Sequence, residues 1–181
     1  MNFATWWLKT PRTPPHASEL LPSFRRQCPL VACIFLERNF MSDVVFVDSN
    51  ILICAHDADA GEKRTKAVET LIRLWDSGGG RMSVQVLQEF YVNVTKKLTT
   101  PIASSTAREV VSTYGVWIRE PTTVKTVIRA IDIAGMTQIQ FWDALIVASA
   151  EEAEATHLYS EDLNSGQTIA GVKILNPLAA A

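Results

Sequence analysis

Short segments with extended-chain character alternate along the chain with longer segments in which apolar residues recur every three or four positions. The short segments predict buried strands, at 44–47, 81–83, 116–118, 157–160 and 172–175. The longer segments predict helices, at 49–56, 62–76, 84–97, 104–113, 122–134 and from 140 onward. Because strands separated by helices pair in parallel, this order predicts a central parallel sheet covered on both faces, a three-layer α/β/α sandwich.

The first predicted strand ends on polar residues. In the stretch VVFVDSNILICAHD, the apolar run is followed by Asp48, Ser49 and Asn50, just where a helix is predicted to begin. These residue types commonly cap helices, because their side chains accept hydrogen bonds from the free N–H groups of the first turn. Capping accounts for Asp48 unless other carboxylates reach the same place.

A second carboxylate lies on the most apolar of the predicted helices. In FWDALIVASA, residues 141–150, Asp143 is the single charged residue, and no Lys or Arg lies within a helical turn of it. A buried ionised carboxylate is costly unless it is compensated. Two compensating partners are open at this stage: an arginine that is distant in sequence, or a bound cation.

Two further acids occupy comparable positions. Glu89 lies in the first turns of the helix that follows the strand at 81–83, and Asp162 follows the strand at 157–160. In a parallel sheet, ligands bind at the carboxyl ends of the strands, so we expect the four acids to converge there. Carboxylates without cationic partners repel one another, and Mg²⁺ or Mn²⁺, which prefer oxygen ligands, relieve that repulsion. The pattern therefore favours a site for Mg²⁺ (or Mn²⁺).

The first forty residues differ from the rest of the chain. They show no sustained helical or strand period, and prolines interrupt the region in which a secretory signal needs its apolar stretch. Met41 then opens a segment that reaches the first strand within three residues. We expect residues 1–40 to be a disordered extension, residues 41–181 to be the folded domain, and Met41 to be the natural start.

Charge and cysteine content narrow the class of protein. Residues 1–40 contain five Lys or Arg and two Asp or Glu, whereas residues 41–181 contain 12 and 17, so the predicted domain has a net charge of −5. An acidic domain disfavours nucleic-acid binding through bulk charge alone.

Three cysteines without metal-site spacing predict free thiols in a reducing cytosol, and no apolar run reaches the ~18 residues of a membrane span. We expect a cytoplasmic protein without a membrane partner.

Four motifs in order carry a resemblance to a known family. They are DSN at 48–50, QEF at 88–90, FWDALI at 141–146 and SEDL at 160–163. Together they resemble the PIN-domain family over residues 43–178. The closing GVKILNPL is similar to the end of the VapC-like toxins of bacterial toxin–antitoxin systems. The resemblance leaves the first forty residues unexplained.

The resemblance implies a Mg²⁺- or Mn²⁺-dependent endoribonuclease that hydrolyses RNA phosphodiester bonds and is held inactive by a cognate antitoxin protein. The four acids match the metal-site positions of the family. Asn50 matches the polar residue that supports the first ligand, Ser49 stands where threonine is more usual, and Ser160 matches a hydroxyl found beside the last acid. PIN toxins commonly dimerise, so the resemblance also implies a homodimer.

Substrate binding at an acidic centre needs nearby cations. The candidates for RNA contacts are Lys96, Lys97, Arg64 and Arg81, each of which can instead lie on a solvated helix face.

Two other functions remain open. One is a PIN-like scaffold that binds RNA or protein without cleaving. The other is a metal-dependent phosphatase of the haloacid-dehalogenase type, which also begins with an Asp at the end of its first strand but needs a second acid where Asn50 stands.

Overall fold

The computed structural model describes residues 43–179; the predicted extension 1–40, with Cys28 and Cys33, and the proposed start at Met41 lie outside the described residues. In chain order the elements are β1 Val45–Val47, α1 Ser49–His56, α2 Glu62–Ser77, β2 Gly80–Arg81, α3 Val84–Lys96, α4 Ser104–Tyr114, α5 Val124–Thr137, α6 Phe141–Glu152, β3 His157–Tyr159, β4 Thr168–Ile169 and β5 Val172–Leu175.

The strands form one sheet in the order β2-β1-β3-β5-β4. The first four of these pair in parallel, whereas β4 pairs antiparallel with β5 at the edge. All three residues of β1 are buried, which explains why its sequence is apolar without alternation: a central parallel strand is covered on both faces. The predicted α/β/α architecture with a mainly parallel sheet is confirmed.

The helices pack on one another as well as on the sheet. Helix α1 packs on α2 and α3, α3 packs on α4, and α5 packs on α6. Every residue of α6 from Ala144 to Ala150 is buried, as expected for a helix that is apolar on all sides. The polar residues of this helix are therefore concentrated at its two ends, and Asp143 lies at the end that begins the helix.

One predicted strand is wrong, and one observed strand was not predicted. Residues 116–118 do not form a strand; the chain continues from α4 into a 3₁₀ turn, Gly115–Trp117, closed by a hydrogen bond from Ile118 N to Gly115 O. The turn places Trp117 in an aromatic cluster with Trp75 and Tyr114. This packing overrides the strand propensity of the apolar run VWI. Strand β4 was not predicted because its two residues are too few to show a periodic pattern.

Close packing also explains one glycine of β2. A Cβ atom on Gly80 would lie 2.7 Å from the ring of Trp117, a distance that no side chain can occupy. The Trp117 carbonyl then accepts a hydrogen bond from Met82 N at 3.2 Å. The aromatic cluster is thus fixed directly against the edge of the sheet.

Cys54, which lies in α1, is a buried free thiol. Among the described helices, none has the length and apolar character needed to cross a membrane.

Candidate active site

The sheet brings Asp48 and Ser160 side by side. They follow the paired residues Val47 and Tyr159 at the ends of β1 and β3, and Asp48 N donates a hydrogen bond to Tyr159 O at 3.0 Å. Ser160 Oγ donates to Asp48 Oδ2 at 2.7 Å. Two residues that are distant in sequence are therefore joined because parallel strands end at the same edge of the sheet.

Asp48 is buried and accepts hydrogen bonds at both carboxylate oxygens. Its Oδ1 accepts from Ser49 N at 2.6 Å, and its Oδ2 accepts from Asn50 Nδ2 at 3.0 Å in addition to Ser160. Asp48 is the N-cap of α1, so the capping interpretation is correct. Burial raises its pKa to about 6, with smaller contributions from the charges of Glu89 and Asp162, against the lowering effect of the hydrogen bonds. Asp48 thus caps a helix and also interacts with the other acids.

Asn50 connects the start of α1 to the loop that follows β3. Its Nδ2 lies within hydrogen-bond distance of Asp48 Oδ2, of Ser160 Oγ at 3.2 Å and of Asp162 Oδ2 at 3.1 Å. Its Oδ1 accepts from Glu161 N at 3.3 Å. A single neutral amide therefore holds two carboxylates near each other, which a carboxylate at this position could not do.

Glu89 is also held at both oxygens. Ser49 Oγ donates to Glu89 Oε2 at 2.7 Å, and Gln85 Nε2 donates to Glu89 Oε1 at 2.8 Å. The prediction from sequence did not include Gln85, although its position four residues before Glu89 on the same helix is the spacing at which side chains meet. Ser49 also lies 3.3 Å from Asp48 Oδ1 through its hydroxyl, so it connects two of the four acids.

Asp143 lies in the first turn of α6. Its pKa is raised, first by burial and then by the negative charges of Asp162 and Glu89. Within residues 43–179, the ion pairs are Lys63–Glu161 and Arg129–Glu151, so Asp143 takes part in none of them. Its carboxylate also has no hydrogen-bond partner among these residues. A compensating arginine is therefore not found in the described part of the chain.

The donor set of the site consists of oxygen atoms. Asp48 interacts electrostatically with Glu89 and Asp162, and Asp143 interacts with the same two acids. Hard divalent cations prefer such ligands. As the side chains stand, no three His, Cys, Asp or Glu residues of the described segment surround a point where a metal ion could be held. Ser49 and Asn50 lie between the carboxylates and hydrogen-bond to them. The chemistry of these oxygen donors fits a divalent ion.

The cations expected from sequence differ in exposure and in hydrogen-bond partners. Lys96 and Lys97 are exposed where α3 ends. Arg64 Nε donates to Ala55 O at 3.4 Å. Arg81 donates to the carbonyls of Gly78 and Gly80, which places its guanidinium towards the amino end of β2, away from the acids. Their contact with RNA stays a prediction.

One cation that was not among these candidates lies beside the site. Lys63 forms an ion pair with Glu161, the residue immediately before Asp162. The sequence gives little indication of this pair, because Lys63 lies on a charged helix face and its partner is distant in the chain.

The chain matches a known family model over most of its length. The model described as PIN domain matches residues 45–167, more than half of the 181 residues. No curated protein sequence matches the chain significantly.

Several solved structures are similar in fold. The VapC20 toxin of Mycobacterium tuberculosis, described as cleaving the sarcin-ricin loop, is 18% identical, with 65% of this chain and 89% of that chain covered and a TM-score of 0.50. A toxin–antitoxin complex from Klebsiella pneumoniae is 20% identical, with 74% and 97% covered and a TM-score of 0.54. VapBC2 from Rickettsia felis, bound to a DNA fragment from its promoter, is 15% identical, with 73% and 97% covered and a TM-score of 0.50. At these identities the likeness establishes the fold.

Proposed function

The chain belongs to the PIN-domain family, and on that premise we propose that it is a divalent-metal-dependent endoribonuclease of the cytoplasm, the toxin of a toxin–antitoxin pair. The observation that carries the proposal is the set of electrostatic interactions that links Asp48 and Asp143 to Glu89 and Asp162. The four acids come from four segments, and the pKa of Asp48 and of Asp143 is raised first by burial and then, to a smaller extent, by the charges of Glu89 and Asp162. A catalytic metal site accounts for an arrangement that is unfavourable to the fold alone.

We assign these acids to the binding of Mg²⁺ or Mn²⁺. Asp48 and Asp143 would hold an ion directly, and Glu89 and Asp162 directly or through water. When bound, such an ion makes water a stronger nucleophile and stabilises negative charge on the phosphoryl group. The residues of the chain that position the acids are Ser49, Asn50 and Ser160, each of which hydrogen-bonds Asp48.

The proposal extends to partners. We propose RNA as the substrate, because an acidic centre needs cations at its rim to bind a polyanion. The candidate contacts are Lys96, Lys97, Arg64 and, farther from the acids, Arg81. An antitoxin is proposed because the Klebsiella pneumoniae neighbour is a toxin–antitoxin complex.

A homodimer is also proposed. It is supported by exposed apolar side chains at helical spacing on α5, namely Val124, Ile128 and Ile131.

The experiment that tests the function is cleavage of labelled total RNA by purified protein, free of antitoxin, with Mg²⁺ or Mn²⁺. Cutting that is lost with EDTA and in Asp143→Asn supports the nuclease. Asp76→Asn is the matched control, because Asp76 is exposed at the end of α2 that leads to the amino end of β2.

RNA binding without metal-dependent cutting would instead identify a binding scaffold. The phosphatase alternative is disfavoured by Asn50, since its amide donates to two carboxylates where a second acid would be needed.

A further inference from the structure

Gln85 connects two helices that carry acids of the site. It is buried, with 8% of its surface exposed, and its Nε2 donates to Glu89 Oε1 at 2.8 Å and to the backbone carbonyl of Trp142 at 3.2 Å. Trp142 immediately precedes Asp143 in the first turn of α6. One side-chain amino group thus joins the carboxylate of Glu89 on α3 to the backbone that carries Asp143.

The contact of Gln85 is one of two that fix the Glu89 carboxylate. Ser49 Oγ donates to the other oxygen, Oε2, at 2.7 Å. A glutamate side chain has three rotatable bonds and adopts many rotamers unless its end is held. With donors from α1 and α3 on separate oxygens, the rotation of the Glu89 carboxylate is fixed from both sides. Loss of either donor frees one oxygen.

The burial of Gln85 is unfavourable to the fold in one respect. Its Oε1 is buried and has no hydrogen-bond partner among residues 43–179. An unpaired buried acceptor loses the hydrogen bond that it makes with water in the unfolded chain. Methionine has a similar length and shape and would fill the same space without that loss. The fold alone therefore gives no reason for glutamine, and the contacts of its amino group do.

We propose that Gln85 is a positioning residue of the metal site, which holds the Glu89 carboxylate and the first turn of α6 in register so that Glu89 and Asp143 bind the same divalent ion. The proposal rests on the proposed function and adds to it a residue that does not itself touch metal or RNA. Partners of this kind act by restricting the orientation of ligands before the ion arrives, and their removal typically weakens metal binding about 10- to 100-fold.

The test is Mn²⁺ binding to RNA-free protein, measured by isothermal titration calorimetry for the wild type and Gln85→Met. We expect the dissociation constant for Mn²⁺ to rise about tenfold or more. The melting temperature in EDTA should change little, because the substitution removes the unpaired buried Oε1 together with the two hydrogen bonds of Nε2. Cleavage by Gln85→Met should be impaired at low Mn²⁺ and recover as Mn²⁺ is raised. A residue that only supported the fold would lower the melting temperature, and its defect would not respond to Mn²⁺.

Gln88→Met is the matched control, because Gln88 is exposed on the same helix, next to Glu89; it should bind Mn²⁺ as the wild type does. If Gln85→Met does not fold, Gln85→Asn provides the same test, since its shorter side chain cannot reach both partners. Unchanged Mn²⁺ affinity in a folded Gln85 variant overturns the role of Gln85 while the proposed function stands. Absence of Mn²⁺ binding by the wild type overturns both.

Discussion

Asp48 and Asp143 belong to the same acidic site but are held in opposite ways. Asp48 follows a buried strand and accepts hydrogen bonds from Ser49, Asn50 and Ser160. Asp143 lies at the start of a helix, and in the described part of the chain its carboxylate has no such partner. Burial raises the pKa of both groups. The fold therefore holds one acid through several donors and leaves the other, which is half-buried, without a donor from the described residues.

Because of this difference, we expect substitutions of Asp48 and of Asp143 to affect the fold differently. Removing Asp48 disturbs a helix cap and several donors together with the site, whereas removing Asp143 disturbs only the site. Asp143 is half-buried and is repelled by Asp162 and Glu89, and the proposed metal ion would relieve this repulsion. Each of the following experiments tests this contrast.

The largest expected effect is on catalysis by Asp143→Asn. We expect cleavage at saturating Mn²⁺ to fall roughly 10³-fold, because a metal ligand contributes several kcal/mol to transition-state stabilisation. The melting temperature in EDTA should stay the same or rise, since the substitution removes repulsion from Asp162 and Glu89. Single-turnover kinetics and thermal unfolding measure the two quantities. A melting temperature several degrees below that of the wild type would show that Asp143 supports the fold, and the contrast with Asp48 would fail.

The next effect is the pH dependence of stability at Asp48. The folded pKa of about 6 lies above the unfolded value of 3.8, so the folded state keeps a proton that the unfolded state loses. The free energy of unfolding of the metal-free protein should therefore fall as pH rises from about 4 to 6, by about 3 kcal/mol from this group. Urea unfolding of the wild type and Asp48→Asn at several pH values isolates this contribution.

The difference in free energy of unfolding between the wild type and Asp48→Asn should change by about 3 kcal/mol between pH 4 and pH 6. The change should favour Asp48→Asn at the higher pH. Asp76→Asn, at an exposed carboxylate, should run parallel to the wild type. A difference in free energy of unfolding that stays constant across the pH range would mean that burial does not raise the pKa of Asp48.

The smallest of the three effects is the stability lost in Ser160→Ala. Ser160 is fully buried, donates to Asp48 and accepts from Asn50 Nδ2 and from the backbone N–H of Asp162. Removing the hydroxyl leaves these groups without that partner, so the free energy of unfolding should fall by about 2 kcal/mol. Urea unfolding at neutral pH measures it, with the exposed Ser105→Ala as control. Equal stability of the two variants would show that the Asp48 region is less rigid than its hydrogen bonds indicate.

Sequence reasoning predicted the parts of this molecule that depend on local pattern. The six helices and the strands at β1, β3 and β5 follow from periodicity. The positions of Asp48 and Asp162 after strands, and of Glu89 and Asp143 early in helices, were visible in the chain. Their roles as metal ligands stay a proposal.

The features that were missed depend on contacts between distant residues. Gln85 reaches Trp142 and Lys63 reaches Glu161 across many residues of chain, and no local pattern marks such pairs. The segment at 116–118 is a short apolar run of the kind that predicts a strand, yet Trp117 packs with Trp75 and Tyr114. Local propensity gives way there to aromatic packing, which a single sequence does not reveal.

The position of Trp117 against Gly80 also has a consequence for self-association. Strand β2 is an edge of the sheet, where free backbone groups can recruit a strand from another molecule and begin aggregation. Met82 N–H donates a hydrogen bond to the carbonyl of Trp117, and the ring of Trp117 packs against Gly80. The opposite edge of the sheet is the two-residue strand β4. Both edges are thus poor templates for strand addition, and a partner of this domain is expected to bind through helical surfaces.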